Sequence, residues 1–222
     1  ILATMDTKGA ECAYLREEVE KLGGQTLLMD IGVVGVTSIA VDINKEEVAS
    51  QGGRSMAELL ENPSREVASE VMVKGSIALV KTLITENKIH ALISLGGTQG
   101  TNNGCMIMQD LPYGFPKIML STMASGDTSN FVGIKDITMM FSVSDILGLN
   151  PFSRCILSNT AGAAYGMAQA SQQIEFSSGK TVIGISNLGV LTSGTMKAID
   201  LLNERGYESI VFHAIGSGGR AM

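Results

Sequence analysis

Short apolar runs that end in glycine alternate along this chain with segments whose apolar residues recur every three or four positions. Residues 1–4 read as a strand. Leu15, Val19 and Leu22 predict a helix over 10–22, stopped by Gly23 and Gly24, and residues 26–29 return as a second strand, closing a βαβ unit. From about 31 to 63 the pattern weakens into an insertion, with short helices expected around 46–50 and 56–61. After Pro63, the positions Val67, Val71, Ile77, Val80, Leu83 and Ile84 sustain one face of a long helix over 64–87. Strands follow at 90–95, 117–120 and 137–142, with a helix to about 109 after the first of them and a small-residue helix over 153–171.

Residues 172–179 are polar and serine-rich and read as a linker. Beyond them a strand at 181–185, a helix at 194–204 and a strand at 209–213 make a fresh βαβ unit. Its helix stop, Arg205-Gly206, matches Leu22-Gly23-Gly24 at the start of the chain. The alternation predicts an α/β fold of two Rossmann-like lobes with mostly parallel sheets. The first lobe spans 1–171, and 180–222 is the start of a second, truncated lobe.

Composition narrows the class. The 222 residues are 45% hydrophobic, yet no apolar run approaches the roughly 20 residues of a membrane helix. Sixteen basic against 22 acidic residues give a net charge of −6, without blocks of like charge, which disfavours binding to nucleic acid or anionic lipid. Three widely spaced cysteines cannot all pair within the chain, so reduced thiols and a cytoplasmic setting are expected. Residues 1–5 lack the basic and apolar regions of a signal peptide. His90 and His213 are the only histidines, too few for a zinc site or for a Ser or Cys triad, so no metal ligand and no catalytic residue is assigned.

Open parallel sheets bind ligands at the carboxyl ends of their strands, so the segments after each strand hold the candidate chemistry. Asp6, Thr7, Lys8 and Gly9 follow the first: Asp6 or Thr7 can cap the helix, and Lys8 offers a point charge, a pattern that serves an anion or plain capping equally. Gly96, Gly97, Thr98, Gly100 and Thr101 follow the strand at 90–95. Their glycines let backbone amides approach a phosphate, and the threonines add hydroxyl donors, although the run is neither a P-loop nor G-x-G-x-x-G. Ser121 and Thr122 open a third, Ser/Thr-rich segment in which Asp127 is a candidate metal or ribose partner, the alternative being a plain connecting loop. Gly216, Gly218 and Gly219 repeat the glycine pattern beside Arg220. Asp30 ends the second strand, where an acidic residue meets a ribose hydroxyl in dinucleotide folds or simply forms a turn.

Three separated motifs carry a resemblance: Ala3-Thr4-Met5-Asp6-Thr7-Lys8-Gly9-Ala10-Glu11, Leu95-Gly96-Gly97-Thr98-Gln99-Gly100-Thr101, and Phe212-His213-Ala214-Ile215-Gly216-Ser217-Gly218-Gly219-Arg220-Ala221-Met222. Together they resemble the Tm-one-like ATP-binding family over nearly the whole chain. The resemblance implies an amino-terminal module of two Rossmann-like lobes that binds ATP and self-associates, here expected as a homodimer. The expectation is a nucleotide-binding module, for ATP with magnesium, whose phosphates lie against the glycine run in a cleft between the lobes. The alternative is an enzyme acting on a phosphorylated or carboxylated small molecule in the same cleft, with Asp127 or Asp30 as metal or base residue.

Overall fold

Five short parallel strands organise most of the chain: β1 (Leu2–Ala3), β2 (Met29–Asp30), β3 (Leu92–Gly96), β4 (Lys117–Ser121) and β5 (Thr138–Phe141), in the order β2-β1-β3-β4-β5. They belong to a computed structural model that describes residues 1–61, 63–172, 174–177 and 179–222. The chain divides into two units, Ile1–Ser171 and Gln172–Met222. Asn62 of the expected insertion, and Gln173 and Ser178 of the expected linker, lie outside the described residues.

Side-chain alternation along the strands builds two cores. Leu2, Leu92 and Met119 face one side, beneath α2 (Lys45–Gln51), α3 (Met56–Glu61), α4 (Arg65–Thr85) and α5 (Thr98–Gln109). Ala3, Ile93, Leu95, Ile118 and Leu120 face the other, beneath α1 (Met5–Lys21) and α7 (Pro151–Ala170). Both faces being covered, β3 and β4 are buried at every position, as suits their largely apolar sequences. A four-residue helix, α6 (Ser129–Val132), lies between β4 and β5.

Three elements depart from their sequence reading. The first helix begins at Met5, so residues 6–9 are its first turn and not a loop; Thr4 is the extended cap residue and its carbonyl accepts from the amides of Thr7 and Lys8. Gly9 lies buried inside the helix, where an added Cβ would meet Ile39 Cγ1 at 3.5 Å, an ordinary contact. The second strand lies at Met29–Asp30, later than 26–29, because bonds from Met29 N to Ile1 O and from Ile31 N to Ala3 O set the register with β1. The insertion is not an excursion. Its α2, capped by Asn44, buries Val48 and Ala49 against α4 so closely that a Cβ on Gly75 would stand 1.9 Å from the Val48 carbonyl oxygen.

Lys117 opens β4 with its side chain wholly buried, donating to the carbonyls of Pro112 (2.7 Å) and Phe115 (2.6 Å) and pairing with Asp136 at 2.9 Å. Burial lowers its pKa, with Asp136 opposing. At the other end of the sheet, the Asn150 capping box and Pro151 start α7.

In the second unit β6 (Val182–Asn187), α8 (Thr192–Glu204) and β7 (Glu208–His213) form a parallel βαβ, followed by the single turn α9 (Ser217–Ala221). Gly23 (φ 92°) and Gly206 (φ 83°) end α1 and α8 in the same way, each with two amides folded back onto the last helical turn. Among the described residues no helix is long and apolar enough to cross a membrane.

Candidate functional site

The strand order reverses between β1 and β3. From β1 the chain passes through α1 on one face to β2, and from β3 through α5 on the other face to β4, so the two helix starts diverge at the carboxyl edge, the place where open α/β sheets take their ligands. Three of the four predicted segments meet along this edge, since Leu2 of β1 pairs with Ser94, and Gly96 with Ser121.

At the β3 end the turn is a single residue. Gly96 ends the strand, Gly97 is the cap residue of α5 and supplies no side-chain cap, and Thr98 to Thr101 already lie in the helix. The first-turn amides of Thr98, Gln99 and Gly100 therefore have no intrahelical acceptor, and the positive end of the helix faces the carboxyl edge. The three glycines are not equivalent. A Cβ on Gly96 would meet Gly100 Cα at 2.9 Å, and one on Gly100 the Leu95 carbonyl oxygen at 3.4 Å. On Gly97 it would find only Thr122 Oγ1, at 3.8 Å, and the Gly97 φ of −78° suits any residue. Packing accounts for Gly96 and restricts Gly100, whereas packing does not demand glycine at 97.

Thr101 and Ser121 are buried and bonded to each other, so their hydroxyls brace the turn and do not face the carboxyl edge. Thr98 and Thr122 remain as the hydroxyl donors nearest Gly97; Thr98 Oγ1 lies 3.6 Å from Met123 Sδ. Asp127 accepts from Ser129 N at 2.9 Å, and this bond holds its carboxyl below the ordinary aspartate value.

At the β1 end Asp30 is buried, its Oδ1 accepting from Met5 N (3.1 Å) and Gly32 N (2.9 Å). It starts α1 and shapes the turn after β2. Asp6 tucks beneath Gly35, where any Cβ would fall 2.3 Å from Asp6 Oδ2, and its Oδ1 is buried without a hydrogen-bond partner. Lys8 turns away from the helix start and donates its Nζ to the Ile146 carbonyl. Thr7 Oγ1 bonds its own Thr4 carbonyl at 3.2 Å.

One contributor escaped the sequence reading. Glu11, buried on α1, accepts from Gly148 N at 2.7 Å, and with Lys8 it straps residues 142–150 across the carboxyl edge. The signal was available: Glu11 lies four positions before Leu15, on the apolar stripe, where an unpaired carboxylate would be costly. The fourth predicted segment belongs to the second unit. There Gly216 (φ 83°) precedes α9, and a Cβ on Gly218 would collide with the His213 carbonyl oxygen at 2.0 Å, so close backbone packing explains that glycine; Gly219 has open space.

Strand order and the diverging helix starts define a doubly wound, Rossmann-like α/β protein with its candidate site at the topological switch point. Residues 1–173 match the N-terminal domain, and residues 180–222 the C-terminal domain, of the Uncharacterised protein family (UPF0261). The chain belongs to that family. It is 47% identical over 222 residues to a UPF0261 protein of Clostridium tetani and 39% identical over 224 residues to one of Mesorhizobium japonicum, covering the whole of this chain and 55% and 54% of those proteins. It is also 34% identical over 246 residues to the ToMV resistance protein Tm-1 of Solanum lycopersicum, of which it covers 32%. The chain thus spans about half the length of its bacterial relatives.

Proposed function

We propose that this chain binds a nucleotide, ATP in the first instance, with the phosphates seated on the amides that follow Gly97 at the switch point. The observation that carries the reading is the open space at Gly97, where an added Cβ would meet nothing closer than Thr122 Oγ1 at 3.8 Å, beside uncapped amides at the start of α5. Thr98 and Thr122 add hydroxyl donors.

Magnesium fits this reading as an ion carried chiefly by the phosphates. Among the described residues no group of three or more His, Cys, Asp or Glu side chains gathers around one point. A second reading is turnover of a phosphorylated or carboxylated small molecule at the same edge, with Asp127, exposed after β4, as metal or base residue, since Asp30 is committed to the amides of Met5 and Gly32. The homodimer and the cytoplasmic setting belong to the proposal; light scattering on the purified chain tests the dimer.

The primary test is thermal unfolding with magnesium ATP, ADP and AMP. At a hundred times its dissociation constant a ligand adds about 2.7 kcal/mol to stability. A phosphate-dependent rise supports the reading, and its absence for all three overturns it. Release of phosphate over hours separates turnover from binding alone.

A further inference from the structure

The two cores meet at one place, the amino edge of the five-stranded sheet. There a cavity of about 1020 Å³ is walled by Val19, Ala164 and Tyr165 from one face and by Met29, Ile43 and Val80 from the other. Its rims are residues 25–27, which lead into β2, and 89–93, which lead into and open β3. A paired ladder keeps the two faces of a sheet apart, so a cavity that touches both passes through the plane of the sheet. It lies in line with β1, whose neighbours are those same two strands.

The backbone on both rims is set out for a strand. β1 pairs with β2 at Leu2 and Ala3 and with β3 at Leu2, whereas β3 stays paired with β4 back to Leu92. Amides of a paired strand point alternately to its two sides. Met29 N donates to Ile1 O and Leu28 N turns the other way, to Asp42, so Leu27 N points into the cavity. Leu92 N donates to Pro116 O on the β4 side, so Ala91 N points into the cavity from the opposite rim. Among the described residues neither the Leu27 nor the Ala91 amide has a hydrogen-bond partner. Backbone donors beside apolar walls need acceptors, and an extended chain offers its carbonyls to the two sides in alternation. We infer that this slot takes an extended polypeptide strand of about three residues that continues β1 on its amino side and closes the sheet between β2 and β3. Ile1 packs against the core of α1 and Leu2 against that of α4. Alternation therefore turns the outer residues of the strand toward Ile43 and Val80 and its middle one toward Val19 and Tyr165, so apolar side chains suit every position. The inference is independent of the nucleotide reading.

The test sets three residues ahead of Ile1, as Ile-Val-Ile, Gly-Ser-Gly or Ile-Pro-Ile, and compares each with the chain of 222 residues. Ile-Val-Ile should raise the thermal midpoint by about 5 °C or more, protect the Leu27 and Ala91 amides from hydrogen exchange, and close the cavity to the apolar dye anilinonaphthalene sulfonate. Gly-Ser-Gly should leave the midpoint near that of the 222-residue chain. Ile-Pro-Ile, apolar but short of one ladder donor, should fall between. Equal midpoints for Ile-Val-Ile and Gly-Ser-Gly, with both amides still exchanging rapidly, overturn the inference. A chain with Ile-Pro-Ile that matches Ile-Val-Ile overturns it too, because the slot would then accept apolar bulk without a ladder. Dye that still binds beside Ile-Val-Ile would make the cavity a small-molecule pocket. Protection that grows with protein concentration would place the strand in a second copy; either result overturns the inference.

Discussion

Thr101 Oγ1 and Ser121 Oγ lie 2.6 Å apart in a region closed to solvent, joining the first turn of α5 to the end of β4. Each neighbour fixes the direction of the bond. Met123 N donates to Ser121 Oγ at 2.9 Å, and Thr101 Oγ1 is 3.3 Å from the Gly96 carbonyl oxygen. Every donor is used once when Ser121 donates to Thr101 and Thr101 to Gly96, a relay of three bonds across the floor of the candidate site. Ser121→Ala leaves the Met123 amide without an acceptor and should cost about 1–3 kcal/mol. Thr101→Val keeps the side-chain shape and should cost less. Because the two hydroxyls act together, the double variant should lose less than the sum, by about 0.5–3 kcal/mol, measured by urea unfolding.

What could be read in the sequence divides along the same line. The α/β alternation, the helix over α4 and the fully buried β3 and β4 follow from local apolar period and need no partner to be recognised. Asp6, Thr7, Lys8 and Gly9 look like a turn locally; the Thr4 carbonyl and the Asp30 carboxylate, which accepts from Met5 N, start the helix ahead of them, and Asp30 is distant in sequence. Thr101 and Ser121 read in the sequence as hydroxyl donors to a ligand, yet their mutual bond, which turns both inward, spans twenty positions and leaves no local trace. Gly96, Gly97 and Gly100 form one run in sequence, and only the packing around each separates their roles.

That separation makes the glycines testable. Gly97→Ala adds a Cβ to open space at an ordinary φ and should change stability by no more than about 1 kcal/mol, in the stabilising direction if at all. It should still abolish ligand-induced stabilisation, because the methyl occupies the approach to the amides. Gly96→Ala forces its Cβ to 2.9 Å from Gly100 Cα, backbone against backbone, and should cost about 1–3 kcal/mol. Thermal scans with and without magnesium ATP read both effects. A Gly97→Ala chain that unfolds early yet binds normally when folded would make Gly97 a turn residue.

The strap over the carboxyl edge depends on Glu11. The residue is 2% exposed, and its carboxylate accepts from the Gly148 amide at 2.7 Å. Glu11→Gln keeps an acceptor oxygen in place and should cost little. Glu11→Ala leaves a cavity and an unmet amide, about 1–3 kcal/mol, and should release residues 142–150. Hydrogen exchange at Gly148 distinguishes the two: the amide stays protected in the glutamine variant and exchanges rapidly in the alanine variant. Equal protection in both would mean that Lys8 alone holds the strap.

Thiol chemistry gives the pH dependence its sign. Cys12 and Cys105 are buried and Cys155 is exposed, so a thiol reagent should label one cysteine in the native chain and three after unfolding. Burial pushes the Cys12 and Cys105 thiols up to about 12. In the unfolded chain a cysteine titrates near 8.5, roughly. The folded values lie higher, so the fold favours the neutral thiol. That contribution is complete below the unfolded value, shrinks as pH climbs past it and is gone once pH passes the folded value. The urea midpoint should therefore fall on raising the pH above about 9, with labelling of Cys12 and Cys105 rising in step. Cys12→Ala costs stability at neutral pH through the cavity it leaves, yet it removes one of the two titrating groups, so its alkaline decline should be shallower than that of the native chain. An identical slope in the two proteins would assign the alkaline loss to groups other than these thiols.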